Sequence, residues 1–172
     1  MHTNEKTGIR IEDDVSDTII EDNTVYENSN YGIFIVGSNT RVTGNMVTDH
    51  GKHGIFLFAD DNTTIASNNI SSNENEGIRL QNSTDDTIQG NIIYQNLRYG
   101  LYVNYYSTHN LIYNNLFKGN DVNAKDISTN TSGNRWNISN TSGSNIIHGP
   151  YLGGNFWDDY TGVDVNLSLI HI

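Results

Sequence analysis

The chain repeats itself about every 23 residues. Gly8, Gly32, Gly54, Gly77 and Gly100 open the phrases Gly-Ile-Arg-Ile, Gly-Ile-Phe-Ile, Gly-Ile-Phe-Leu, Gly-Ile-Arg-Leu and Gly-Leu-Tyr-Val, at spacings of 24, 22, 23 and 23 residues. A sixth, degenerate copy reads as Ala124-Lys-Asp-Ile, with Ala124 in the glycine's place. A fixed period in this range specifies a stacked array, in which no single repeat can bury a core of its own.

Counting back from each of the last four glycines and from Ala124 gives columns. Twelve back are Ile20, Val42, Ile65, Ile88 and Ile112; nine back are Asn23, Asn45, Asn68, Asn91 and Asn115. Seven back are Val25, Val47, Ile70, Ile93 and Phe117; four back are Asn28, His50, Asn73, Asn96 and Asn120. The residues one and three after each glycine are aliphatic. Short, mostly β-branched segments with period-two alternation are strands, and no 3.6-residue pattern competes. Three such strands per rung, stacked in register, predict an all-β right-handed parallel β-helix, a single-stranded solenoid with rungs of about 23 residues. The Asn23, Asn45, Asn68, Asn91, Asn115 column is read as scaffold. Stacked amides bond along a column, and Asn tolerates the left-handed backbone of a bend. The glycine column is assigned the same conformational job at another corner.

By length the chain is one domain. Residues 1–129 are assigned to rungs, 130–166 to a degenerate final rung and a terminal block, and 167–172 to a tail that fits no rung. Asn is abundant (27 of 172), and a single Pro and 16 Gly suit short strands with tight bends. No apolar run is long enough for a membrane span. There is no Cys, hence no disulfide or thiolate metal site. The formal net charge of −11 argues against nucleic acid as partner. Seven Asn-x-Ser/Thr sequons, starting at Asn62, Asn69, Asn82, Asn130, Asn137, Asn140 and Asn166, would suit a surface protein. Asn4 has the phase of Asn28, so the chain enters in mid-rung. A natural continuation on the N-terminal side, with a signal peptide, is expected.

The Gly-Ile-x-Leu…Asn-x-Ile…Asn rungs resemble NosD-type β-helix repeats. The block Gly149-Pro-Tyr-Leu-Gly-Gly-Asn-Phe-Trp-Asp-Asp-Tyr-Thr-Gly162 is similar to the Gly-Gly-Asn-Tyr-Trp-Ser-Asp-Tyr-x-Gly signature that ends such arrays in archaeal and bacterial surface proteins, with Phe156 for the usual Tyr and Asp158 for the usual Ser. The resemblance implies a carbohydrate-binding or sugar-hydrolase-like β-helix domain, and an extracellular, cell-surface or periplasmic location. It also implies an acidic Asp-x-Asn-Gly-Asp-Gly loop after the signature. Asp164-Val165-Asn166 begins that loop and Leu167 to Ile172 breaks it, as adapter-derived residues would.

The positions two and four after each glycine point outward. The first carries Arg10, Phe34, Phe56, Arg79 and Tyr102; the second carries Glu12, Val36, Phe58, Gln81 and Asn104. Arg10, Phe34, Phe56, Phe58, Arg79 and Tyr102 are therefore the candidate ligand-binding column. Aromatic faces stack on sugar rings and Arg pairs with carboxylates. Asp13/Asp14, Asp60/Asp61, Asp85/Asp86 and Asp158/Asp159 are the acidic pairs from which neighbouring rungs could assemble a glycosidase's two carboxylates. The Asn-Thr-Asp, Gly-Asp-Asp, Gly-His-Gly and Arg-Ile-Lys set of polygalacturonases is absent. So is the Asp-Pro-His triplet of alginate epimerases, and no catalytic residue is assigned. NosD proteins are associated with copper-centre assembly of nitrous oxide reductase. The local candidates for a copper ligand set are Met46, His50 and His53, with His50 read as a stand-in within an Asn column. Ca²⁺ is considered for the acidic bends. No metal or cofactor is assigned.

The expected role is a non-catalytic binding or structural module, its partner a polysaccharide or surface glycan, with further domains in the parent protein. The alternatives are a polysaccharide lyase or hydrolase domain and an accessory factor for periplasmic copper maturation.

Overall fold

A computed structural model of the chain describes residues 6–13, 15–129 and 133–160. Asn4, Asp14, Asn130, Gly162, Asp164, Asn166 and the tail from Leu167 to Ile172, all invoked above, lie outside the described residues.

The described residues form a parallel β-solenoid of about five turns, with three strands per rung and about 23 residues per turn. The first sheet stacks Ile9–Ile11, Ile33–Ile35, Ile55–Phe58, Ile78–Gln81, Tyr99–Val103 and Val122–Asp126. The second stacks Ile19–Glu21, Arg41–Thr43, Thr64–Ala66, Thr87–Gln89 and Leu111–Tyr113. The third stacks Thr24–Tyr26, Met46–Thr48, Asn69–Ser71, Ile92–Tyr94, Leu116–Lys118 and Phe156–Trp157. Pairing is in register, as in Phe34 with Phe56, Ile65 with Ile88 and Ile70 with Ile93. Strand alternation sends one aliphatic column per strand inward, two in the first sheet. Ile33, Ile35, Ile55, Leu57, Ile65, Ile70, Ile78, Leu80, Ile88 and Ile93 have no exposed surface. Burying each contributes about 1.5–3 kcal/mol.

Each rung turns three corners, and the corners share one device. A residue with positive φ precedes a buried polar residue that bonds to its counterpart in the next rung. At one corner Asp22, Gly44, Ser67, Gly90 and Asn114 take the left-handed conformation, and the ladder Asn23, Asn45, Asn68, Asn91 and Asn115 follows. Asn68 Oδ1 accepts both the backbone N–H and the Nδ2 of Asn45, each at 2.9 Å. Asn68 Nδ2 donates to the carbonyls of Val42 at 2.9 Å and Ala66 at 3.1 Å. Each amide thus satisfies backbone groups that the strand ladder cannot reach.

The second corner places Glu27, Asp49, Ser72, Gln95 and Gly119 before Asn28, His50, Asn73, Asn96 and Asn120. The third places Asp17, Asn39, Asn62, Asp85 and His109 before Thr18, Thr40, Thr63, Asp86 and Asn110. This third ladder is absent from the repeat as read above. Its Thr, Asp and Asn members share no single residue type.

Two sequence expectations need correction. The ladder asparagines are not themselves left-handed; the residue before each one is. The glycines of the repeat are not left-handed either, since Gly44, Gly90, Gly119 and Gly133 are the described glycines with positive φ. A Cβ on Gly77 would instead come within 2.7–2.8 Å of Asn96 Nδ2, the Gly100 carbonyl and Ile93 Cγ2. The column is glycine because its Cα lies against the core.

The register of the sixth copy is also corrected. Leu101 pairs with Ala124, Tyr102 with Lys125 and Val103 with Asp126. Asn123, not Ala124, therefore occupies the glycine column, and the last turn is one residue shorter between Asn120 and this strand. The physical reason is alternation: with Ala124 in the glycine's place, Lys125 would point into the core, and a one-residue slip reverses every side chain.

The terminal block closes the stack. Asn155 Oδ1 accepts Asn115 Nδ2 at 2.9 Å and thereby extends the Asn ladder. Trp157 stacks on Phe117 at 4.6 Å and 8° and approaches Trp136 at 6.0 Å. Asp158 accepts from the Gly119 N–H and Asn123 Nδ2, both at 2.8 Å. The Gly-Asn-Phe-Trp-Asp run supplies one more rung of ladder and an indole over the open end of the core.

Candidate functional site

The outer surface of the first sheet concentrates the chain's rings and cations. Alternation from the glycines places Arg10, Phe34, Phe56, Arg79 and Tyr102 in one column, as expected, and the corrected register adds Lys125. Because the glycine position faces the core, the residue before it also points out. That adds Tyr31, His53, Glu76 and Tyr99, none of which was picked out as a first-sheet binding residue from the sequence. They form i, i+3 pairs with the first column: Tyr31 with Phe34 at 5.4 Å, His53 with Phe56 at 5.2 Å, Tyr99 with Tyr102 at 5.0 Å. The residue before the glycine was as readable as the one after it.

Phe34 and Phe56 point outward but are each only 8 % exposed. They are 5.2 Å apart, and Tyr31, Phe58 and the cations close over them. The Arg10 guanidinium sits over Phe34 at 4.7 Å, and Lys52 over Tyr31 at 5.4 Å. Arg79 lies between Phe56 at 5.7 Å and Tyr102 at 5.1 Å, and Arg98 over Tyr99 at 5.2 Å. The expectation of exposed rings in line is therefore corrected. Phe34 and Phe56 are the floor, Phe58, Tyr31, Tyr99 and Tyr102 are half-buried, and charge forms the upper layer.

At the centre lies Glu76, with no exposed surface. Its Oε2 is ion-paired with His53 Nδ1; its Oε1 is 3.6 Å from Arg98 and 3.8 Å from Arg79. Burial alone would raise the Glu76 pKa, but His53, Arg79 and Arg98 outweigh it and the value is lowered. Glu76 is a carboxylate that fixes two guanidinium groups and an imidazole in place. Arg10 lies apart, at the other end of the column, paired with Glu12.

The acidic pairs do not form a cleft. Asp60 and Asp86 turn into the solenoid, 2 % and 0 % exposed, whereas Asp61 and Asp85 face solvent. Asp86 Oδ1 accepts the Thr63 N–H at 2.9 Å; Asp86 Oδ2 and both Asp60 oxygens have no donor. Burial first, and then the neighbouring carboxyl, raises the pKa of Asp86; burial dominates for Asp60, which is also raised. The pair is best satisfied when it holds a proton, and from inside the core it cannot reach a substrate. Asp158 is engaged in the terminal cap.

Residues 1–162 match the family described as "Periplasmic copper-binding protein (NosD)". The chain belongs to the NosD family. Among solved structures, the periplasmic alginate epimerase AlgG aligns with a TM-score of 0.61 at 22% identity, over 96% of this chain and 41% of that one. The Azotobacter vinelandii mannuronan C-5 epimerase AlgE6 A-module aligns with a TM-score of 0.60 at 17% identity, over 76% of this chain and 48% of that one. This NosD chain thus spans less than half the length of either. Identities this low show a shared β-helix fold. Among curated proteins there is no match.

The NosD description names copper, but the candidate donors of this chain do not converge. Met46 is 44% exposed on the third sheet. His50 is buried in a corner ladder, where its Nδ1 accepts the Asn28 N–H at 3.1 Å. Burial lowers its pKa to about 4, so it is a neutral substitute for the column's Asn. His53 belongs to Glu76 on the first sheet. Among the described residues no group of three or more His, Cys, Asp or Glu could hold a metal ion.

Proposed function

We propose that this chain is a non-catalytic β-helix module that binds carbohydrate along the outer face of the first sheet, in an extracellular or periplasmic setting. One observation carries the reading. The rings of the first-sheet face lie in one file broken by Arg79, with Tyr31, Phe34, Phe56 and Phe58 on two neighbouring rungs and Tyr99 and Tyr102 on the rung beyond it, while no core column requires them there. Half-buried Phe58, Tyr99 and Tyr102 offer ring surface to sugars, and Arg79 and Arg98 offer N–H donors to hydroxyls and carboxylates. Rungs repeat at about 4.8 Å, so the file suits an extended chain rather than a compact ligand. Similarity in fold to polysaccharide-acting epimerases, and membership in a family described as periplasmic, are consistent with it.

A second reading, a lyase- or hydrolase-type domain, has one observation in its favour. His53 held by Glu76 beside two arginines is an arrangement that can orient a base next to a bound anion. Release of unsaturated or reducing ends from a polysaccharide by the intact chain would favour it over the binding module.

The experiment is affinity electrophoresis through gels containing neutral and acidic polysaccharides. The double variant Phe58→Ser/Tyr102→Ser removes half-buried rings and leaves the core untouched, so its circular dichroism should match wild type. Retention is expected to weaken at least several-fold. Unchanged retention in a folded variant would overturn the proposal.

A further inference from the structure

We propose that the first-sheet face takes an extended polyanion whose charges are carboxylates, a uronate-type polysaccharide; the inference rests on the binding reading above and adds the charge of the ligand. The observation is charge segregation. Four outward columns belong to this face: the residues one and two before each glycine-column position, and those two and four after it. They hold Lys6, Arg10, Lys52, Arg79, Arg98 and Lys125 but, of the acids, only Glu12, Glu76 and Asp121. The remainder of the chain holds three cations and seventeen acids. A protein of net charge −11 thus carries one locally cationic strip, running along all six strands of the first sheet.

The strip is held in place. All five cation–ring contacts of the described residues lie on it. Glu76 is buried and holds Arg79 and Arg98 side by side, so one carboxylate organises two guanidinium forks and an imidazole. The Arg98 side chain is 57% exposed and presents donors outward, whereas the Arg79 side chain is 19% exposed and tied to Gln81 at 3.1 Å. From Arg10 to Lys125 the strip crosses five rung intervals, about 24 Å at strand spacing. Planar guanidinium forks match carboxylates in two-point contact. Nucleic acid is the weaker candidate. The surrounding seventeen acids would repel a second strand or a wide phosphate backbone. The deepest rings lie beneath cations rather than open to bases.

The test uses the full chain with four probes: polygalacturonate, the same polymer with its carboxyls reduced, dextran sulfate, and a single-stranded oligothymidylate. The expected result is binding to polygalacturonate that falls at least tenfold on carboxyl reduction and is tighter than to dextran sulfate or the oligonucleotide. Lys52→Gln/Arg98→Gln, both exposed side chains, should lose at least tenfold for polygalacturonate and have a shallower salt dependence. Equal binding to the reduced polymer would overturn the charge assignment and leave the glycan module standing. No binding to either polymer would overturn both. Tighter binding to dextran sulfate would overturn the carboxylate preference, and tighter binding to the oligonucleotide would make the face a nucleic-acid surface.

Discussion

Ile88→Asp is expected to melt the middle of the solenoid. Ile88 is fully buried between Ile65 and Ile112 in the second sheet, and its neighbours across the core are aliphatic. Aspartate there loses the buried side chain and places a carboxyl where no described group could pair with it. An unpaired buried charge costs several kcal/mol, and with the lost apolar burial the total is on the order of 5 kcal/mol or more. That is comparable to the whole stability of an ordinary domain. Because each rung touches only its neighbours, the damage should begin at the rungs on either side of residue 88. Thermal denaturation followed by circular dichroism should show a fall of about 10–20 °C or no cooperative transition. A melt superimposable on wild type would mean that this column does not face the core.

The second large effect concerns pH. Asp60 is raised to about 7 and Asp86 to about 9, burial being the leading cause for both, with Asp61 adding repulsion to each. Such carboxyls bind their protons more tightly folded than unfolded. Their stabilising contribution is complete below the unfolded value near 4 and is lost as pH rises through the folded values. Glu76 has the opposite sign: its lowered pKa stabilises the fold at neutral pH and loses that contribution in acid. Wild type should therefore be most stable at mildly acidic pH and weaken towards pH 8, by up to ~1.4 kcal/mol per pH unit for each proton retained. Asp86→Asn should remove most of that fall. An Asn at 86 keeps an acceptor for the Thr63 N–H and gives Asp60 a donor, as Asn110 does for its own neighbours in the same ladder. The variant should exceed wild type by about 2–4 kcal/mol at pH 8 in urea titrations, with little difference at pH 5. Parallel pH profiles for the two proteins would show that the carboxyls do not share a proton in the core.

The two effects illustrate what a repeat makes legible. Ile65, Ile88 and Ile112 recur at fixed spacing with one residue type, so their burial can be read from the sequence. The corner containing Thr40, Thr63, Asp86 and Asn110 recurs equally well in space, but three residue types fill it. Hydroxyl, carboxyl and amide each accept the same backbone N–H, so chemistry is shared where identity is not. The candidate site was half visible for a related reason. Strict alternation from the glycine found Phe34, Phe56, Arg79 and Tyr102 but missed Tyr31, His53, Glu76 and Tyr99. The alternation breaks at the glycine itself, whose Cα packs against the core. Lys125 was missed because the sixth copy lacks the glycine that marks the phase.

Whether the first-sheet face is the binding surface can be measured directly by hydroxyl-radical footprinting of the tyrosines with saturating polygalacturonate. Tyr99 and Tyr102 should be protected, while Tyr26 on the third sheet and Tyr151 near the C-terminal cap, 59% and 49% exposed, should react as in the free protein. Protection of Tyr26 or Tyr151 with Tyr99 and Tyr102 unchanged would place the ligand elsewhere and contradict the account.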